Sequence, residues 1–84
     1  MAGVEKFEDA RAVAAHAWPL QPVGLSGYED ATGWLVEIVR AGDPSVAADG
    51  NLIAVSRPDG ATSIVSYLAS LERLRAMTPV SLSA

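Results

Sequence analysis

Hydrophobic residues recur along this chain with two periods, and the switches between them divide it into six elements. Over residues 5–18, Phe7, Ala10, Ala14, Ala17 and Trp18 fall at offsets of 3, 7, 10 and 11, one face of a 3.6-residue repeat. Glu5, Glu8 and Asp9 stand in the first turns, where a helix favours negative charge, and Pro19 and Pro22 stop it. From Val23 the pattern changes. Gly24, Gly27 and Gly33 break any helix, and Trp34-Leu35-Val36-Glu37-Ile38-Val39-Arg40 alternates. Residues 23–29 and 33–40 therefore read as strands joined by a tight turn at Asp30-Ala31-Thr32-Gly33. Residues 41–50, with Gly42-Asp43-Pro44 and Asp49-Gly50, read as a loop. Leu52 to Arg57 forms a third strand, Arg57-Pro58-Asp59-Gly60 a turn, and residues 61–65 a fourth strand. In the last helix, Ser66 to Met77, a stripe of Tyr67, Leu71, Leu74 and Thr78 is flanked by Leu68 and Met77. Pro79 ends it, and residues 78–84 read as a flexible tail of small residues.

The expected fold is thus α+β, in the order α-β-β-β-β-α. An N-terminal helix, a four-stranded antiparallel meander and a C-terminal helix follow one another, with the helices over one face. Short connections leave no room for parallel crossovers. In the strand over 33–40, Trp34, Val36 and Ile38 share the face expected to be core, and Leu35, Glu37 and Val39 share the other. Two readings of that second face stay open. Left open to solvent, it makes Leu35 and Val39 a binding patch around Glu37. Covered, it requires a partner for Glu37, and Arg57 or Arg40 is the candidate.

Composition narrows the class. At 84 residues the chain fits one domain with a thin core, because many of its apolar residues are alanines and only five are aromatic. Ten acids against six bases give a net charge of −4, which opposes binding to a nucleic-acid backbone and suits a solvated cytosolic protein, or one that meets a basic partner. There is no cysteine. The polar, acidic start does not read as a signal peptide, and no run approaches the ~20 apolar residues of a membrane span. The expectation is a cytoplasmic protein that meets neither nucleic acid nor membrane.

No residue pattern predicts catalysis, a metal or a cofactor. His16 is the single histidine, with no nucleophile or ligand spacing around it. Gly24-Leu25-Ser26-Gly27 lacks the lysine and the strand-to-helix setting of a phosphate loop. What remains are anchors for a protein partner. Trp18, Tyr28 and Tyr67 are the aromatic candidates, and Leu35, Glu37 and Val39 form the candidate sheet face.

Several segments together resemble the small YrhB-like immunity proteins of bacterial toxin systems. They are the first-helix run Asp9-Ala10-Arg11-Ala12-Val13-Ala14, Gly33-Trp34 opening a strand, and Asp49-Gly50-Asn51 before the next strand. Arg57-Pro58-Asp59-Gly60-Ala61 at a hairpin and the closing Leu71-Glu72-Arg73-Leu74-Arg75 helix complete the likeness. It implies a non-enzymatic protein that binds and blocks, or shelters, another protein. The helix followed by a Gly-Trp strand is also similar to the gas-vesicle accessory protein GvpO, which implies an assembly role. Three functions follow as expectations. The first is a cytosolic protein-binding module of the immunity type. The second is a small enzyme or ligand-binding subunit with a cleft between the first helix and the sheet, built on His16 or Glu37. The third is a self-associating structural element, dimeric through an exposed sheet face or edge.

Overall fold

The structure, a computed structural model, describes residues 6–40, 43–57 and 59–82; at residues 40 and 43–49 it describes the backbone alone. The elements run α1 (Phe7–Ala17), β1 (Val23–Asp30), β2 (Gly33–Arg40), β3 (Asp43–Ser56), β4 (Thr62–Ser66), a single 3-10 turn (Leu68–Ser70), α2 (Leu71–Ala76) and β5 (Thr78–Ser81). The five strands form one antiparallel sheet in the order β4-β3-β2-β1-β5. The expected α+β class holds. The meander gains a fifth strand beside β1.

Register decides which residues share a face. One row across the sheet reads Thr78, Glu29, Trp34, Val55, Thr62, and the next reads Pro79, Tyr28, Leu35, Ala54, Ser63. Successive rows point to opposite faces. On the first face, Trp34, Val36, Ile38, Ile53 and Val55 meet Phe7, Ala10 and Ala14 of α1. The alanines let the helix lie close, and Gly27 does the same for Phe7: a Cβ at Gly27 would sit 2.8 Å from the Phe7 ring. Arg11 donates from Nε to the Gly24 carbonyl, and Trp18 Nε1 donates to Thr62 Oγ1 at 3.2 Å. These two bonds tie α1 to β1 and to the edge strand β4. Ala17, expected on the buried stripe, is exposed, because Trp18 takes its place beyond the last turn.

Five expectations need correction. The two helical segments do not share a face, since Leu74 and Met77 cover Leu35 and Leu52 on the side opposite α1. Aliphatic residues on both sides of β2 require cover on both sides. Leu35 is fully buried beneath Leu74 and Met77, and Val39, close to Gly24 of β1, is 4% exposed, so they are not an open patch. Of the expected loop over 41–50, the described residues 43–50 are strand: β3 starts at Asp43, pairing Asp43 with Arg40 and Ala47 with Val39. Residues 44–46 bulge between those pairs, which accommodates Pro44 without a ladder N–H. The helix expected over 66–77 shortens to a 3-10 turn and six α residues. Finally, residues 78–81 are a strand rather than a tail. Pro79 disfavours helix at Thr78, and the period-two pair Val80 and Leu82 packs against the first-face core. Residues 1–5, 41–42, 58 and 83–84 lie outside the described residues, including Glu5 of the expected first helix and Pro58 of the expected turn.

At one end of the sheet the two hairpin turns meet. Thr32 accepts from the Arg57 backbone N–H at 2.8 Å, and the Asp30 carboxylate accepts from the Thr32 and Gly33 backbone N–H groups. Arg73 of α2 reaches the same carboxylate through Nε at 2.9 Å. Arg57 lies over the Trp34 ring, 4.2 Å from its centroid, and pairs with Glu29. Trp34 Nε1, buried beneath it, has no hydrogen-bond acceptor among the described residues.

Candidate protein-binding surface

The second face of the sheet is covered only in part. The segment from Leu68 to Met77 lies over Leu35, Leu52 and Ala54. Beside it a hollow of about 70 Å³ opens between Tyr28 of β1, Glu37 of β2 and Tyr67, with Leu52 and Asn51 of β3 also in its lining. Tyr28 stands opposite Leu35 in the ladder, and Glu37 lies two residues further along β2, the diagonal position at which long side chains meet. Tyr67 is fixed where β4 ends, by a backbone bond of 2.6 Å from its N–H to the carbonyl of Gly50. Gly50 adopts a φ of +66°, a backbone turn that glycine makes without strain. Tyr28 and Glu37 also border a second, more open depression with Ser26, Pro79 and Ser81.

Three of the six candidates are therefore brought together: Tyr28, Glu37 and Tyr67. The other three are not. Leu35 and Val39 are buried, and Trp18 packs half-buried against the α1-side core on the opposite face. His16 is exposed at the end of α1 and lines none of these hollows. Glu37 is half-buried, and the ion pairs among the described residues, Arg57–Glu29 and Arg73–Asp30, do not include it. Arg57, a partner expected for it, points to the other face; the Arg40 side chain lies outside the described residues. Burial first, and then the Glu37 and Tyr67 charges, push the Tyr28 hydroxyl above its ordinary titration range.

This hollow is lined by one carboxylate residue and two tyrosines, a set of side chains that suits the ammonium or guanidinium end of a cationic side chain. Its volume holds the tip of a side chain, whereas metabolite pockets run to roughly 300–1,000 Å³. A larger concavity of about 410 Å³ lies beside the hairpin end, lined by Thr32, Ser56, Thr62, Ser63 and Arg73 among others. Its cation, Arg73, is already bonded to Asp30 and to Thr32 Oγ1. Leu68, 75% exposed next to Tyr67, was not singled out from the sequence, where it reads only as a flank of the helical stripe. Among the described residues there is no group of three or more His, Cys, Asp or Glu placed to hold a metal ion. No helix among them is long and apolar enough to cross a membrane.

No protein-family model, curated protein or solved structure matches this chain.

Proposed function

We propose that this chain is a non-enzymatic protein-binding module of the cytosol, which takes a lysine or arginine of a basic partner into the hollow between Tyr28, Glu37 and Tyr67. The observation that carries this reading is the half-buried Glu37, which lines one hollow with Tyr28 and Tyr67 and is in neither of the described ion pairs. A carboxylate held partly out of water gains most when a cation arrives to pair with it. The exposed Leu68 beside Tyr67 adds an apolar rim. The net charge of −4 steers a basic partner toward the whole molecule. The motif likeness to immunity proteins makes a bacterial toxin the first partner to test, with the chain acting as its inhibitor.

Affinity capture with the wild type and with Glu37→Gln tests this reading. The wild type is expected to recover a basic protein at low salt. Glu37→Gln, which keeps the shape and removes the charge, should weaken capture by about 10–100-fold, the worth of a charge-assisted hydrogen bond. Its melting temperature should not fall. Equal capture by both proteins, or no partner at any salt, refutes the proposal.

A further inference from the structure

The two edges of the sheet are built differently. At the β5 edge, Leu82 N–H donates to the Leu25 carbonyl at 2.8 Å, and Val80 and Thr78 stand opposite Gly27 and Glu29. Peptide groups in an antiparallel strand alternate between its two neighbours, so residues 78, 80 and 82 face β1 while Pro79 and Ser81 face outward. Pro79 has no N–H. The middle of this edge therefore lacks a donor, a common protection against strand addition.

The β4 edge has no such protection. Ser56 N–H donates to the Ala61 carbonyl and Tyr67 N–H to the Gly50 carbonyl, which sets residues 61, 63, 65 and 67 facing β3. Thr62, Ile64 and Ser66 consequently turn both N–H and C=O outward. The register from Val55↔Thr62 to Asn51↔Ser66 has no bulge, and residues 60–71 contain no Asp, Glu, Lys, Arg, His or Pro. Ile64 is 37% exposed.

We propose that β4 pairs with β4 of a second copy of this chain, antiparallel across a two-fold axis at Ile64, so that the two sheets become one. What favours a second copy over a foreign strand is the match of this segment to its own reverse. The axis places Ile64 against the second copy's Ile64, and Thr62 against its Ser66. An aliphatic pair thus meets at the centre with small hydroxyls on either side. No charge faces a like charge, which matters for a molecule of net charge −4. All three outward positions find backbone partners, and the exposed Ile64 is buried. This surface is separate from the Tyr28–Glu37 hollow and does not depend on it.

Sedimentation equilibrium of the full chain from low to high micromolar concentration tests the pairing. The wild type is expected to move from 8.7 kDa to twice that mass. Ile64→Lys sets two ammonium groups against each other, and Ile64→Pro removes an outward donor without touching the β3 ladder. Both should stay at 8.7 kDa at every concentration, with the wild-type circular dichroism spectrum. Amide exchange of the wild type supplies a reading that needs no variant: the Thr62, Ile64 and Ser66 amides should slow as concentration rises. A wild type that stays monomeric overturns the proposal. So does a folded Ile64→Lys that dimerises like the wild type, or exchange at those three amides that ignores concentration.

Discussion

Asp30 closes the β1–β2 turn with one carboxylate. It accepts from two backbone N–H groups, the Thr32 hydroxyl and Arg73 of α2. The Arg73 hydrogen bonds hold this carboxyl well below the usual carboxylate range; burial opposes them, and the Thr32 bonds add to them. A group depressed in the folded state stabilises the fold above its unfolded pKa, near ~3.9. That contribution disappears as pH falls from there toward the folded value. Asp30→Asn should therefore cost about 1–2 kcal/mol at neutral pH, for a partly exposed pair with several neutral bonds. Urea unfolding from pH 7 down to 2 checks this. The gap between wild type and variant should narrow as the medium turns acid, and a constant gap would mean that the charge of Asp30 contributes nothing.

Among the elements, β5 is the one whose removal is most informative. Its four residues pair with β1, and Val80 and the following Leu82 pack against the core that α1 covers. Ending the chain at Met77 bares the β1 edge and uncovers that side of the core. Two half-buried aliphatic side chains and a strand's worth of hydrogen bonds correspond to about 2–4 kcal/mol. The urea midpoint should fall accordingly, whereas a dispensable tail would leave it where it was. The alternation of Val80 and Leu82 was visible in the sequence. A segment this short, however, has no strand character until a neighbouring edge needs a partner.

At the scale of the whole molecule, the sheet is a middle layer with helical cover on both sides. α1 packs on the Trp34 side over Val36, Ile53 and Val55, and the 68–77 segment covers the other side in part. Val39 lies on the partly covered side yet is 4% exposed, and a Cβ at Gly24 would come within 2.8 Å of its Cγ1. Val39→Lys must then bury an ammonium or push the strands apart, at about 3 kcal/mol or more. The loss in melting temperature should be the same at every protein concentration. A loss that deepens on dilution would instead place Val39 at a contact between copies.

The periodicities of the chain determined α1, the β1–β2 hairpin, the β3–β4 hairpin and the Trp34-Val36-Ile38 core face, because each depends on neighbours within a few residues. Tyr28, Glu37 and Tyr67 were legible as separate candidates from residue type alone. Only the tertiary structure decided that they share a hollow. The reason is that Tyr67 reaches it through a hairpin and a ladder bond to Gly50, a relation between segments that no local pattern encodes. The same holds for Leu35 and Val39. Alternation assigns them to a face, but whether a face is wet depends on what packs there: Leu74 and Met77 cover Leu35, and the close approach of Gly24 leaves Val39 little space. The strand at 43–50 and β5 likewise form against their propensities, since the free edges of β2 and β1 supply hydrogen-bond partners that a proline-bearing segment does not advertise by itself.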